Sequence, residues 1–203
     1  MNITFIGGGN MGRAIIGGLI AKGIRARDIT AVELDAGART RLATEFGVAV
    51  AAAAGDELRD ADVVVMAAAV ADYTPVAAAV GKIAKAAEPL TVTLEPTKDI
   101  LAELGRAAAR RATPPVLVGF AAETGDLLEK AREKRARKGA DFIVANDVSQ
   151  PGSGFDVDTN AVTIIGADGE QVLPQQSKSR VAEAILDRVE QILRSRVSTP
   201  SRA

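Results

Sequence analysis

The feature that most constrains the fold of this chain is a short apolar segment with no polar face. Residues 63–66 read VVVM, a run of β-branched and other apolar side chains. A strand with one face in water alternates polar and apolar residues, whereas an unbroken run of this kind is typical of a central parallel strand that is covered on both sides. Because helices cover the faces of parallel sheets, the sequence predicts an α/β fold.

The residues after this strand have the composition of a ligand site. Ligands of open α/β sheets bind in the crevice beyond the carboxyl ends of the strands. Residues 67–69 are alanines that leave room for a flat group, and Asp72 can accept hydrogen bonds at the rim. Lys82 and Lys85 supply positive charge for phosphates. The alternative, an alanine-rich connection with solvated lysines, is equally compatible with the residues taken alone.

Composition limits the chemistry that is available. The 203 residues carry a formal net charge of −1, which argues against a general nucleic-acid or membrane surface. No apolar run approaches the ~20 residues of a membrane span, and the chain enters a strand without a signal peptide, so a cytoplasmic protein is expected. Cys and His are absent, which excludes disulfides, thiol and histidine catalysis, and histidine zinc sites. We therefore predict no metal site built by the protein itself.

A glycine-rich turn follows the first predicted strand. GGGNMG stands at residues 7–12, between an apolar strand and a helical pattern. In that context Gly7 permits a tight turn, Gly9 lets the backbone approach a pyrophosphate, and Gly12 lets the helix pack on the strand. Glu33 ends the next predicted strand, where an acid can bind the ribose hydroxyls of NAD and would repel a 2′-phosphate. The alternative is a glycine-tight turn that binds nothing.

Several motifs after residue 61 resemble those of one enzyme family. MAAAVADYTP, GKIAK, VGFAAET and KGADFIVANDVSQPGSGFDVDTNAV occur in the order found in phosphopantothenate–cysteine ligases. The resemblance covers about residues 61–194. It implies a ligase that uses CTP and Mg²⁺ to activate phosphopantothenate as an acyl-cytidylate and then joins it to cysteine. It also implies a homodimer formed through a hairpin at the edge of the sheet.

The ligase resemblance implies roles for individual residues. Lys82 would be catalytic, beside the α-phosphate of CTP. Asp72 and Phe120 would hold the ribose and the base, and Lys134 and Lys138 the outer phosphates. The other residues implied to contact CTP are Met66, Ala67, Ala68, Lys98, Asp99, Ile100 and Leu101. Lys98 departs from the family pattern, which has proline at that position.

The first third of the chain resembles a different family. FIGGGNMGRAIIGGLIAKG, continuing to DADVVVMA, is similar to the NAD(P)H-binding start of pyrroline-5-carboxylate reductase over roughly residues 1–66. This implies the alternative function, an NAD- or NADP-dependent oxidoreductase whose dinucleotide site is Gly7, Gly9, Gly12 and Glu33. The helical substrate domain of those reductases has no counterpart after Met66. The change between the two resemblances falls near residues 61–67, and a nucleotide-binding domain without catalysis is a third reading.

One element of the ligase family is missing. Ligases of this family place a long loop between their first strand and first helix, and an asparagine in that loop contacts the acyl intermediate. Here residues 7–12 make the whole connection, and Asn10 stands where the family has lysine. We therefore expect nucleotide binding to survive and ligase turnover to be lost or severely weakened.

Periodicity and turn residues predict one doubly wound, Rossmann-like domain over residues 1–196, with a mostly parallel sheet, an antiparallel edge hairpin and a frayed tail at 197–203. Predicted strands lie at 2–6, 29–33, 62–66, 90–94, 116–120, 142–145, 161–165 and 171–173. Predicted helices lie at 13–22, 36–46, 56–59, 99–110, 121–138 and after Ser177, with Thr97 as an N-cap. Residues 48–55 are predicted to be a connection, and 149–160, which include Asp156 and Asp158, a structural loop.

Overall fold

The chain forms a layered α/β structure. The computed structural model describes residues 1–79, 81–85, 89–123, 126–147 and 159–198. Within these ranges there is an eight-stranded sheet with helices on both faces, and a separate two-stranded sheet. The Rossmann-like α/β fold predicted from the sequence is confirmed.

The elements have the following bounds. The main sheet contains β1 (Ile3–Ile6), β2 (Ile29–Val32), β3 (Ala49–Ala51), β4 (Val63–Met66), β7 (Val116–Glu123), β8 (Phe142–Asp147), β9 (Thr159–Gly166) and β10 (Gly169–Ser177). The small sheet consists of β5 (Tyr73–Pro75) and β6 (Leu94–Pro96). The helices are α1 (Asn10–Ala21), α2 (Ala36–Phe46), α3 (Ile100–Ala108), α4 (Leu127–Lys138) and α5 (Lys178–Ser198).

The order of the strands sets the position of the crevice. Across the sheet the order is β10-β9-β8-β7-β4-β1-β2-β3. Strands β1, β2, β3, β4, β7 and β8 pair in parallel, and β9 and β10 add an antiparallel edge hairpin, as predicted. The chain runs outward from β1 to β3 and then returns to the other side of β1 at β4. Because ligands of open α/β sheets bind where this reversal occurs, the crevice between the carboxyl ends of β1 and β4 is the expected ligand position.

Strand β4 is covered on both faces, which explains its unbroken apolar sequence. Val63 and Val65 pack into one core cluster, with residues of α1, α2 and α5. Val64 and Met66 pack into a second cluster on the opposite face, with residues of α3 and α4. All four side chains are buried. Each fully buried side chain of this size contributes roughly 1.5–3 kcal/mol.

Two predictions failed where pairing partners are distant in sequence. Residues 48–55 are not only a connection, since β3 within them pairs in parallel with β2. Its small alanines gave no strand signal. Residues 90–93 are not a strand; β6 begins at Leu94 and pairs with β5 away from the main sheet. The apolar alternation there lies in an exposed segment, with Leu90 67% and Val92 54% exposed.

Two local predictions around α3 and α4 were also wrong. Residues 121–123 continue β7, because Glu123 still pairs with Asp147 of β8, and α4 begins only at Leu127. Thr97 does not cap α3. Asp99 does, accepting a hydrogen bond from the Ala102 N–H at 3.1 Å.

The C-terminal elements follow the prediction closely. Ser177 caps α5 through its Oγ, which accepts a hydrogen bond from the Arg180 N–H at 3.3 Å. Helix α5 runs to Ser198, two residues into the predicted tail. Residues 199–203 and most of the loop predicted at 149–160, with Asp156 and Asp158, lie outside the described residues. None of the described helices is long and apolar enough to cross a membrane.

Candidate functional site

The turn after β1 and the segment after β4 touch at the bottom of the crevice. Gly7 has a φ of +97°, a conformation that side chains disfavour. A Cβ atom at Gly7 would lie 2.5 Å from the backbone nitrogen of Ala68. Ala68 is itself fixed, since its N–H donates to the Ile6 carbonyl at 2.8 Å. The protein's own packing therefore requires glycine at position 7, whether or not a ligand binds.

The other two glycines of the motif differ from each other. A Cβ atom at Gly12 would lie 2.5 Å from the carbonyl oxygen of Gly7, so Gly12 is required for α1 to pack on the turn. A Cβ atom at Gly9 would have no protein atom within 4 Å. Packing therefore leaves the Gly9 position open, and the approach of a pyrophosphate there stays a prediction.

Glu33 binds the backbone of the turn. Its Oε2 accepts a hydrogen bond from the Gly8 N–H at 2.8 Å, and its Oε1 accepts one from the Asp35 N–H at 3.0 Å. Arg39 donates to the Glu33 carbonyl oxygen at 2.7 Å. Each carboxylate oxygen of Glu33 thus accepts one backbone hydrogen bond and keeps a lone pair for a further donor, so the ribose contact for this residue stays a prediction.

Phe120 and Asn146 lie on the face of the sheet that α1 and α5 cover. Phe120 is half-buried and packs against the same core cluster as Met11 and Ala67. It pairs with Val144, a member of that cluster, and side chains alternate along a strand, so Asn146 lies on the same face two residues further on. Phe120 also directly follows Gly119, which pairs with Met66, so the structure places this base-binding candidate next to the segment after β4.

Asn146 is the polar group that sequence reasoning missed. Its Oδ1 is buried and has no hydrogen-bond partner among the residues that the structure describes. A buried acceptor without a partner costs about 1–3 kcal/mol, and native proteins contain few of them. The sequence signal was an amide residue ending an otherwise apolar strand, FIVAN, but nothing in it shows that the oxygen lacks a partner.

The lysines of α4 lie on the opposite face. Lys138 forms an ion pair with Asp99, and its side chain is only 10% exposed. Burial raises the pKa of Asp99, but the hydrogen bonds from Lys138 and the Ala102 N–H outweigh it and hold that pKa below its ordinary value. Lys134, one turn earlier, is half-buried. A ligand that touches both these lysines and Phe120 has to cross the carboxyl edge of the sheet.

The other predicted CTP contacts differ in exposure. The side chains of Met66 and Leu101 are buried in the core, and Leu101 packs against Gly119. Ala67, Ala68 and Ile100 are half-buried, and Asp72, Lys82 and Lys98 are exposed. Thr97, which follows β6, is hydrogen-bonded to the residues that precede β5. Its N–H donates to the Asp72 carbonyl at 2.9 Å and its Oγ1 donates to the Ala71 carbonyl at 2.5 Å.

Comparison with known proteins identifies relatives of the chain. The model of the DNA/pantothenate metabolism flavoprotein C-terminal domain family matches residues 3–193, a span that includes the glycine-rich turn. The chain is similar to the coenzyme A biosynthesis bifunctional protein CoaBC of Escherichia coli (strain K12), with 40% identity over 141 residues, covering 68% of this chain and 34% of that protein. The corresponding protein of Bacillus subtilis (strain 168) is 46% identical over 129 residues, covering 63% and 31%.

A solved structure shows the same relationship. The crystal structure of the C-terminal domain of a coenzyme A biosynthesis bifunctional protein CoaBC superposes with a TM-score of 0.66 and 28% identity, covering 96% of each chain. The chain spans about a third of the length of the curated relatives it matches. The likeness therefore concerns one domain of those proteins.

Proposed function

We propose that this chain, which belongs to the DNA/pantothenate metabolism flavoprotein C-terminal domain family, is a phosphopantothenate–cysteine ligase domain that binds CTP. The observation that supports the nucleotide site is the buried Oδ1 of Asn146, which has no partner in the described part of the chain and lies on the same face of the sheet as Phe120. An aromatic face and a buried acceptor suit a nucleobase, which offers a flat ring for stacking and N–H donors. Phe120 follows Gly119, which pairs with Met66 of β4, and Asn146 lies one strand further out, on β8. Ligands of this fold bind at the carboxyl ends of such strands.

The chain's own residues would position and neutralise the reactants. Lys82 is exposed and can place an ammonium group at the α-phosphate, where charge develops as the carboxylate of phosphopantothenate attacks and pyrophosphate leaves. The amine of cysteine then displaces CMP. Asp72 would hold the ribose, while Lys134 and, once released from Asp99, Lys138 would hold the outer phosphates.

Mg²⁺ would accompany the triphosphate. The part of the chain that the structure describes has no group of three acidic, His or Cys side chains able to hold a metal ion. This donor set does not fit a resident metal, so we assign no metal ligands to the protein.

The oxidoreductase alternative is not favoured. The family match includes the glycine-rich turn, and the relatives belong to coenzyme A biosynthesis. We expect no NADPH oxidation dependent on added pyrroline-5-carboxylate.

Binding of CTP tests the nucleotide site. Asn146→Ala should weaken CTP binding by about 1–2 kcal/mol, because a hydrogen bond from the ligand is lost. The same change should not lower the stability of the free protein, since it removes an unpartnered acceptor. Gln171→Ala, on the exposed hairpin, is the control. Unchanged CTP affinity in Asn146→Ala, measured by calorimetry, would remove Asn146 from the site.

The role of Lys82 is tested by comparison with Lys85, a second lysine in the same segment. Lys82→Ala should weaken CTP binding by roughly 1.5–3 kcal/mol, the range for a hydrogen bond to a charged group. Lys85→Ala removes the same charge three residues away and should have a smaller effect. Equal losses in the two variants would show a diffuse charge effect and would withdraw the specific role of Lys82.

Turnover is a separate question from binding. The connection between β1 and α1 is too short to supply the asparagine-bearing loop of the family, so one wall of the phosphopantothenate site is missing. Loss of groups that position a reactant can cost orders of magnitude in rate. CMP and pyrophosphate release with phosphopantothenate and cysteine should be near background and should rise when a ligase loop is grafted between Ile6 and Gly12. Rates near those of an intact ligase would refute this expectation.

We also propose a homodimer, and the structure offers two surfaces for it. The edge hairpin predicted from the family resemblance carries Pro174 and a register shift after Leu173, features that protect an edge from pairing. The β5–β6 region instead exposes apolar side chains: Val70, Tyr73, Val76, Ile83, Leu90, Val92 and Leu94. A patch of this kind is typical of a protein interface. Light scattering should show dissociation in Val92→Lys and not in the hairpin control Val172→Lys; the reverse result would favour the hairpin.

A further inference from the structure

Two deeply buried polar residues lie at the carboxyl edge of the sheet. Lys178, in the first turn of α5, is 9% exposed, and Asn160, near the start of β9, is 4% exposed. No other charged residue in the part of the chain that the structure describes is buried. Burial of an ammonium group costs free energy, and the positive end of the helix dipole adds to that cost in a first turn. A lysine in this place therefore needs an explanation beyond packing.

Strand pairing places Asn160 near Asn146. Asn146 pairs with Val162, and Asn160 is two residues from Val162, so it lies on the same face and further toward the carboxyl edge. Residues that are diagonal neighbours in this way lie about 7–8 Å apart. On its other side Asn146 is diagonal to Phe120, because Phe120 pairs with Val144. The three side chains therefore form one row on the face of the sheet that α1 and α5 cover.

Helix α5 places Lys178 over this row. Val181 and Ala182 pack into the core cluster on this face, and Lys178 lies three and four positions before them, on the same side of the helix. Helix α5 starts at the carboxyl edge, because Ser177 pairs with Thr159 at the start of β9. The buried side chain of Lys178 therefore lies at the same edge as Asn146 and Asn160.

Asn146 and Lys178 differ in the hydrogen bonds that they can make. The buried Oδ1 of Asn146 is an acceptor with no partner among the described residues, whereas an ammonium group only donates. Lys178 and Asn160 also interact with other groups of the protein, so they are held in place before a ligand binds. Such a pair suits a ring that carries an amino group next to a ring acceptor. Cytosine has this pattern in its exocyclic amine and its N3 atom.

We propose that Lys178 is a base-binding residue that makes the site prefer a cytosine nucleotide to a uracil nucleotide. Its ammonium group donates to N3 of cytosine, while Asn146 accepts from the exocyclic amine and Phe120 stacks on the ring. In uracil an N–H replaces the N3 acceptor, and an ammonium group cannot accept from it. The inference rests on the proposed nucleotide site and adds the residue that determines which base it takes.

The test is a calorimetric titration of the whole chain with CTP and with UTP, each with Mg²⁺. The wild type should bind CTP about tenfold or more tightly than UTP. Lys178→Met removes the donors and keeps an unbranched side chain. It should weaken CTP binding about tenfold or more, the effect of losing a hydrogen bond to a charged group, and leave UTP binding nearly unchanged.

A second variant and a matched control complete the experiment. Lys178→Gln, which serves if Lys178→Met does not fold, carries an amide that can donate or accept, so it should bind CTP and UTP with similar affinity. Arg180→Met removes a positive charge from the same turn of α5 at an exposed residue and should keep the preference for CTP. A purely structural role of Lys178 would lower both affinities together, so the ratio of the two affinities identifies the base contact.

The outcomes also distinguish the inference from the proposed function. If the wild type binds CTP but the Lys178 variants keep its ratio of CTP to UTP affinity, the base-binding role is overturned and the nucleotide site stands. UTP binding to the wild type as tight as CTP binding, or tighter, overturns the inference in the same way. Absence of binding of either nucleotide to the wild type overturns both the inference and the proposed nucleotide site.

Discussion

The glycine-rich turn and the ends of β7 and β8 differ in whether their polar groups have hydrogen-bond partners within the protein. On the turn side, Gly7 packs against Ala68, and Gly8 donates to Glu33. On the side of β7 and β8, the Oδ1 of Asn146 is buried without a partner among the described residues, on the same face of the sheet as Phe120. Both sides contain residue types that are typical of nucleotide sites. The hydrogen-bond partners of each group show which of these polar groups the fold itself uses.

The difference follows from chain geometry. The turn joins β1 to α1 through only three residues. Its atoms therefore lie in close contact with each other and with the segment after β4. Strands β7 and β8 are longer than β4, and their last residues extend beyond it. In the short turn the Gly7 and Gly8 amides both have partners within the protein, whereas the longer strand β8 ends with the buried Oδ1 of Asn146.

The largest expected effect is a difference in folding stability between substitutions at two glycines of the turn, Gly7 and Gly9. Gly7→Ala combines a positive φ with a clash against the Ala68 backbone and should lower the free energy of unfolding by about 3 kcal/mol or more. Gly9→Ala meets no protein atom and should cost about 1 kcal/mol or less, the cost of a poorer N-cap. Urea unfolding of the two variants measures the difference. Equal losses would mean that the turn is not held by the contact with Ala68.

The next effect concerns a site candidate on the opposite face of the sheet that the protein already pairs, Lys138 with Asp99. A double-mutant cycle with Lys138→Met and Asp99→Asn should give a coupling energy of about 1 kcal/mol, since Asp99 is 44% exposed and solvent screens the pair. The control is Arg59 with Asp56, both more than 80% exposed, for which the coupling should be near zero. A coupling near zero for both pairs would place Lys138 among the groups free for a ligand.

The smallest effect is the pH dependence of the same pair. Because the folded-state pKa of Asp99 is lowered, its contribution to stability is fully present above the ordinary aspartate pKa of about 4 and is lost as the pH falls through the folded value. The wild type should therefore be more stable than Asp99→Asn at neutral pH, and the difference should shrink in acid. Unfolding free energies measured from neutral to acidic pH test this. A constant difference would assign the effect of Asp99 to its cap on α3 alone.

Local signals in the sequence were sufficient for the elements that nearby residues stabilise. The bounds predicted for α2 match the structure, because Asp35 caps its first turn and Gly47 ends it with a φ of +67°. Ser177 likewise marks the start of α5. The apolar run of β4 placed that strand at the centre of a parallel sheet, since only burial on both faces tolerates such a run.

The sequence by itself thus determined the fold class, the position of the crevice and most helices, because side chains within a few residues of each backbone group set its conformation. Only the tertiary structure decided that β3 joins the sheet, that β7 extends to Glu123, that Glu33 binds Gly8, and that the buried Oδ1 of Asn146 has no partner among the described residues. Each of these depends on atoms contributed by segments far apart in the chain. A sequence specifies which groups need partners, and the folded packing decides which of those groups the protein satisfies and which it leaves to a ligand.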